Sequence, residues 1–205
     1  IINAINIIQN FSNLPISVDT CRSNVARIAL EHGVEIINDI SGLKFDNKMQ
    51  DVISDFSPSL ILCAYDSKTV SGNDVVSTKR LLRESLKIAK KSCVPNEKIV
   101  LDPAIGFFRK TGQGPFFTKI KSDWVKRDLI IIQNLKLIKQ NFPILVSVSN
   151  KSFIGSILGL ENPADRLLGS IAAESISVIN GADIIRTHNV GATRDAIIIA
   201  SNLSK

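Results

Sequence analysis

Ile99-Val100-Leu101-Asp102-Pro103-Ala104-Ile105-Gly106-Phe107 is a short β-branched run that ends on a carboxylate and turns at once through proline and glycine. Such a run, with no polar alternation, reads as a strand buried on both faces, the pattern of a parallel sheet. Five more runs share it, at residues 16–19, 34–39, 60–64, 143–148 and 183–187. Helical spacing follows each strand. Helices are expected over 23–32, ending at Gly33, over 46–54, and over 78–91 with Leu82, Leu86 and Ala89 on one face. Three more are expected. One runs over 127–140 with Ile131, Leu135 and Ile138 aligned; one is capped by Asn162 with Pro163 first and Gly181 past its end; one runs over 192–201. Residues 1–12 read as a further helix ahead of the first strand.

Six βα units in a row call for a parallel sheet with right-handed crossovers. A doubly wound sheet would gather its site at one switch point, usually beside a glycine-rich phosphate loop, and no GxGxxG or Walker motif is present. Instead, polar groups recur at nearly every strand end: Asp19, Asn38-Asp39, Asp102, Ser147/Ser149 with Lys151, and Arg186 with His188. That distribution is the pattern of a (β/α)8 barrel, whose site is assembled at the carboxyl ends of its strands. The expected fold class is therefore α/β, a TIM barrel. Six units and a leading helix amount to its third to eighth strands, so residues 1–205 read as a single barrel domain lacking its first two. The Ile-Ile-Asn start, with no initiator Met, agrees with a piece of something longer.

Composition narrows the class. The chain has 205 residues, 44% hydrophobic and 21% charged, with a mean hydropathy slightly above zero, which excludes a disordered chain. Cys21, Cys63 and Cys93 are odd in number, far apart and without metal-ligand spacing, so they are expected as small buried hydrophobes in a reducing, cytoplasmic setting. No apolar run suggests a membrane span. The net charge of +6 is scattered, and one Trp and one Tyr offer little stacking surface, so no nucleic-acid partner is expected. A basic surface also attracts small anions.

The strand-end groups have complementary chemistry. A carboxylate such as Asp19 or Asp102 accepts two parallel hydrogen bonds from a planar ligand with adjacent N–H donors, the pattern of a 2-amino-pyrimidinone edge. Asn38 offers both a donor and an acceptor to ring nitrogens, and Lys151 brings a cation near ring carbonyls. Either Asp alone reads equally well as a cap or loop brace. Arg186 and His188, two apart on the last strand, point the same way and suit a phosphate or diphosphate. The amides at the start of the following helix are aimed at the same anion. Residues 102–124, with Gly106, Gly112 and Gly114, form the longest irregular stretch and read as a binding loop. There Arg109 or Lys110 is available to an anion, and Phe107 or Phe108 to a ring.

The segments Ile16-Ser-Val-Asp-Thr20, Ile36-Ile-Asn-Asp-Ile-Ser-Gly42, Leu101-Asp-Pro-Ala-Ile-Gly-Phe107, Ser149-Asn-Lys-Ser-Phe-Ile-Gly155 and Ile185-Arg-Thr-His-Asn-Val190 resemble, in order, the motifs of the dihydropteroate synthase family. The Phe107-Phe108-Arg109 extension is similar to the archaeal branch. The resemblance implies an alkyl-group transferase of folate biosynthesis that joins 6-hydroxymethyl-7,8-dihydropterin diphosphate to p-aminobenzoate or a related arylamine. It assigns Asp19, Asn38, Asp102, Phe107 and Lys151 to the pterin, Arg186 and His188 to the diphosphate, and Ser149, Asn150 and Ser152 to the arylamine. Lys151, Arg186 and His188 are then the catalytic groups. It also implies Mg2+, whose Asn ligand is expected upstream of Ile1, and a cytoplasmic homodimer.

Departures from the family are Asn150 for Arg, which removes a cation from the arylamine side, Ser147 for Gly, Cys63-Ala64 for Met-His and Asn189 for Asp. Two other classes compete. A pterin-binding methyltransferase domain would pass a methyl group to a corrinoid, but it has no diphosphate to occupy Arg186 and His188. A non-catalytic pterin-binding module is the other, motivated by Asn150.

Overall fold

The computed structural model describes residues 1–111 and 114–203; Gly112 lies outside the described residues. The elements run α1 (Ile2–Phe11), β1 (Ser17–Asp19), α2 (Ser23–Glu31), β2 (Ile36–Asp39), α3 (Met49–Phe56), β3 (Ser59–Cys63), α4 (Asp74–Lys91), β4 (Ile99–Asp102), β5 (Phe108–Arg109), β6 (Thr118–Lys119), α5 (Trp124–Gln133), α6 (Leu135–Ile138), β7 (Leu145–Val146), α7 (Ser152–Leu158), α8 (Leu167–Ile179), β8 (Ile184–Ile185) and α9 (Val190–Leu203).

The six anticipated strands are all present and all parallel. β1, β2, β3 and β4 pair in sequence order. A bridge from Leu101 to Ile144 carries the sheet on to β7, which pairs with β8. This is a barrel wall of order β1-β2-β3-β4-β7-β8. Among the described residues β8 and β1 are not hydrogen-bonded to each other, so the wall is open there. Ile37, Leu60, Leu62, Leu101, Ile144 and Val146 from the strands pack on Ala29, Ile53, Leu81, Ile131 and Ile138 from the helices, all fully buried. Each fully buried Leu or Ile contributes roughly 1.5–3 kcal/mol.

Helix starts follow side-chain chemistry where caps exist. Asn73 Oδ1 accepts from Val76 N–H at 3.0 Å and opens α4 four residues before the expected start; Asp123 Oδ1 accepts from Val125 and Lys126 and opens α5. Four expectations need correction. The helix over 127–140 is two, because Asn134 ends α5 and turns its side-chain amide back to the Ile130 carbonyl at 2.8 Å. Asn162 caps a single 3-10 turn, Pro163–Arg166, before α8 begins. Within 102–124, β5 and β6 form a small parallel pair, so the loop is only partly irregular. Cys21 and Cys63 are buried, but Cys93 is exposed in a turn with φ +57°.

Candidate active site

Register decides which side chains share the barrel interior. Asp19 lies beside Asn38 on β2, Asn38 beside Ile61 on β3, and Cys63, two residues on, beside Asp102 on β4. In-register residues of a parallel sheet point the same way, and alternate residues repeat that direction. Asp19, Asn38, Cys63 and Asp102 therefore form one inward row. The same rule turns Asp39 outward. Its carboxylate accepts from Ser41 N–H, Ser41 O–H and Leu43 N–H at 2.8, 2.6 and 3.1 Å, so this strand-end carboxylate braces a turn and does not face the site.

The row faces a cavity of about 430 Å³ that Phe107, Ser147, Ser149, Asn150, Lys151, Arg186 and His188 also line. Every residue the sequence nominated for the pterin, the diphosphate or catalysis borders this one space. Asp102 sits at its floor, its Oδ1 accepting from the Ala104 amide at 2.7 Å across a tight turn. Burial pushes the Asp102 carboxyl above its ordinary pKa, against the pull of the Ala104 amide and of the Lys151 and Arg186 charges. Burial likewise lowers Lys151, opposed by the Asp102 charge. The Lys151 ammonium rests 4.1 Å from the centroid of the Phe107 ring. Phe108, the alternative stacking residue, is buried under the Arg127 guanidinium at 3.7 Å and is not available to a ligand.

Arg186 and His188 are anchored across the open wall. Arg186 contacts Asp19 at 3.2 Å, and His188 Nδ1 lies 3.0 Å from Ser149 Oγ. Ser149 Oγ also accepts from the His188 amide at 3.3 Å, tying the end of β8 to the loop after β7. A second cavity of about 540 Å³, lined by Ser17, Asp19, Ile185, Arg186 and Val190 among others, occupies the opening between β1 and β8.

Asn150 borders the site, but its backbone role is plainer than any ligand role. It adopts φ +57°, which Asn tolerates better than most residues. Its amide donates to Ser170 Oγ at 2.9 Å, its Oδ1 accepts from the same hydroxyl at 3.3 Å, and Arg166 holds its carbonyl at 3.1 Å. Gly155 is required here, because a Cβ would come within 2.5 Å of Arg166 Nε. Ser152 is not among the cavity-lining residues. It opens α7 just outside the rim, where its hydroxyl meets Arg109 Nη2 at 2.6 Å. Lys110, offered as an anion contact, is exposed.

Sequence reasoning missed a supporting pair. Arg127 and Asp128 are both buried and 3.0 Å apart. Arg127 donates to the Pro103 and Ala104 carbonyls and to Thr78 Oγ1, while Asp128 accepts from the Gly106 amide at 3.1 Å. Together they clamp the loop that leaves Asp102 and carries Phe107. The adjacent opposite charges at 127 and 128 were the available signal, but in sequence such a pair reads as a solvated helix face.

Comparison with known proteins agrees with this geometry. Residues 1–188 match the family described as Pterin binding enzyme. A dihydropteroate synthase of Synechocystis is 31% identical over 93% of this chain, and one of Bacillus subtilis is 34% identical over 86%. The chain spans 64% and 57% of their respective lengths. Among solved structures, a Coxiella burnetii dihydropteroate synthase in complex with pteroic acid superposes with a TM-score of 0.85 at 33% identity, covering all of this chain and 74% of that one. A Xanthomonas albilineans dihydropteroate synthase with 4-aminobenzoic acid gives 0.86 at 27% identity, covering 99% and 70%. The parallel order of the strands, the TIM-barrel fold of these neighbours and the match over 188 of 205 residues lead to one assignment: the chain belongs to the pterin binding enzyme family.

Proposed function

We propose that the protein is a dihydropteroate synthase, condensing 6-hydroxymethyl-7,8-dihydropterin diphosphate with p-aminobenzoate or a close arylamine. The observation that carries this reading is the single cavity shared by two carboxylates, two amides, a half-buried lysine and an Arg/His pair. A binder of the pterin ring alone has no use for Arg186 and His188. A methyltransferase has none either, since methyl transfer releases no anion.

In this reading Asp102 and Asp19 accept the N–H donors of the pterin edge, Asn38 pairs with ring nitrogens, and Lys151 lies against ring carbonyls. Arg186 and His188 bind the diphosphate and stabilise the charge that grows as its C–O bond breaks. The electron-rich pterin carries the resulting methylene cation. The arylamine nitrogen then forms the C–N bond and gives up a proton to water, and pyrophosphate leaves. No protein nucleophile takes part. Mg2+ would assist the departing diphosphate, as the family resemblance implies; among the described residues no group of three or more His, Cys, Asp or Glu side chains is placed to hold a metal ion.

The working barrel is proposed to be closed between β8 and β1 by two further βα units. The free sheet edges and the 540 Å³ opening, with the exposed Val190 on its lining, support this. The solved relatives also extend beyond the matched part. Two copies are proposed to pair through the uncharged stripe Leu168, Ile176 and Ile179 on α8, all exposed; sedimentation velocity tests it. Among the described residues no helix is long and apolar enough to cross a membrane.

The deciding assay incubates the full-length protein with pterin diphosphate, p-aminobenzoate and magnesium and follows pyrophosphate. Release that requires the arylamine supports the synthase. Tight pterin binding without release overturns it in favour of a binding module.

A further inference from the structure

Resting on that reading, we infer that Glu174 is a positioning residue for the diphosphate clamp: through Thr193 and Thr187 it fixes the turn from which Arg186 and His188 reach the leaving group. Glu174 is the one charged residue of α8, in the run Leu-Leu-Gly-Ser-Ile-Ala-Ala-Glu-Ser-Ile-Ser-Val-Ile. Its side chain is fully buried. Oε2 accepts from Thr193 Oγ1 at 2.7 Å, while Oε1 has no hydrogen-bond partner among the described residues. Burying a carboxyl with one oxygen unpartnered costs stability, and an apolar side chain of similar size would fill the place without that cost. Packing alone therefore does not call for an acid here.

The contacts that start from Glu174 lead to the site. Thr193 lies in the first turn of α9 and is itself buried. Its hydroxyl gives its one proton to Glu174, so toward Thr187 Oγ1, 2.9 Å away, it can only accept. Thr187 then donates to Thr193 and accepts from the Asn189 amide at 3.2 Å. Each hydroxyl donates once and accepts once, and the carboxyl at the end sets the direction of all three bonds. Hydrogen bonds aligned head to tail in this way reinforce one another. The Thr193 amide also donates to the Asn189 carbonyl at 3.0 Å. Residues 187 and 189 are thus tied from behind to α8 and α9. His188 stands between them and Arg186 beside them, and their side chains meet Ser149 and the half-exposed Asp19 on the cavity side. A diphosphate that takes the place of Asp19 on Arg186 removes one of these front contacts. The chain behind the turn then keeps the guanidinium and the imidazole at a fixed separation, which is what a site for developing negative charge requires.

The test uses the full-length protein and compares it with Glu174→Gln, Glu174→Leu, Thr187→Val and the double variant Glu174→Leu/Thr193→Val. Calorimetry with inorganic pyrophosphate, and separately with the pterin lacking its diphosphate, reads the two halves of the site. KM for pterin diphosphate and for p-aminobenzoate is measured beside them. Glu174→Leu, Thr187→Val and the double variant are expected to weaken pyrophosphate binding and raise the pterin-diphosphate KM, each about tenfold or more. Pterin affinity and the p-aminobenzoate KM stay near their starting values. Glu174→Gln keeps most of the pyrophosphate affinity, because its carbonyl can accept from Thr193 as the carboxyl does. Equal losses for pyrophosphate and for the pterin, or a lower melting temperature with pyrophosphate binding unchanged, make Glu174 a strut of the helix layer and overturn the assignment. A Glu174→Gln variant as weak as Glu174→Leu overturns it too, since charge and not the hydrogen-bond chain would then matter. Should Glu174→Leu fail to fold, Thr187→Val and the double variant, which buries no unpartnered acid, decide the matter; unchanged pyrophosphate affinity in both overturns it. The pyrophosphate titration needs no turnover, so failure of Glu174 is separate from failure of the synthase reading, which falls if the unmodified protein shows no arylamine-dependent release.

Discussion

Arg186 and Asp19 meet across the open side of the barrel, with both terminal nitrogens of the guanidinium within 3.3 Å of the same carboxylate oxygen. The two residues stand 167 positions apart and close the last and first strands of the wall. Both are about half exposed, so the contact is worth at most about 1 kcal/mol to the fold. On the proposed function the pair holds two groups ready: a pterin edge at Asp19 and an anion at Arg186 would each take the place of the other residue as partner. Arg186→Ala is expected to change unfolding free energy by less than about 1 kcal/mol. The same variant should lower arylamine-dependent pyrophosphate release at least about tenfold. Denaturant titration beside turnover checks both, and parallel losses would reassign the pair to structure.

Lys151 and Gly106 make a second pair whose separation is revealing. Gly106 has φ +89°, and a Cβ there would sit 2.8 Å from Lys151 Cδ. Gly106→Ala is therefore strained in its backbone and also displaces the lysine from the Phe107 ring. We expect a stability loss of about 1 kcal/mol or more. A fall in pterin affinity should accompany it, measured by calorimetry with the pterin alone. Lys151→Ala, which leaves the glycine unstrained, should lower turnover at least about tenfold with a smaller change in melting.

How much of this was legible follows from what is local and what is not. Asp19, Asn38 and Asp102 could be named because each closes a buried β-branched run, and parallel register places such ends together. The same local rule misled at Asp39, where one step along the strand reverses the facing. α7 went unread because residues 149–155 were taken as a motif alone; Gly159, with φ +70° at its end, was the available marker. Phe107 and Phe108 are equivalent in sequence, and only the position of Arg127 distinguishes them. Arg127 itself was illegible, since its burial depends on carbonyls 23 and 24 residues away.

That arginine supports a prediction about stability. Removing one member of a buried ion pair strands the other charge, at a cost of about 3–5 kcal/mol. Arg127→Met leaves Asp128 with only the Gly106 amide and the more distant Arg109, strips the Pro103 carbonyl of its side-chain donor and leaves the Ala104 carbonyl with the Phe107 amide alone. The double variant Arg127→Met/Asp128→Asn removes both charges and should be less damaging than the sum of the singles. Urea titration of the three variants measures the coupling, and strict additivity would show that the pair does not act as one unit.

Asp39 gives the clearest pH dependence. Burial raises its carboxyl from 3.8 to about 6, against the three hydrogen bonds from Ser41 and Leu43, which favour the ionised form. The folded state thus holds this proton more tightly than the unfolded chain does, so rising pH removes stability as the unfolded carboxyl ionises first. The loss begins near pH 3.8, is complete just above the folded value of about 6, and stays constant at higher pH. At 1.36 kcal/mol per unit the full effect is on the order of 3 kcal/mol. Other carboxylates titrate over the same range, so the readout is the difference between the protein and Asp39→Asn. The amide shifts stability by a constant amount through its altered hydrogen bonds to the turn, but it cannot titrate. We therefore expect the unfolding free energy of the protein minus that of Asp39→Asn to fall as pH rises from about 4 to about 7. A difference that is flat across this range would mean that the hydrogen bonds to Ser41 and Leu43 fully offset the cost of burying the charge.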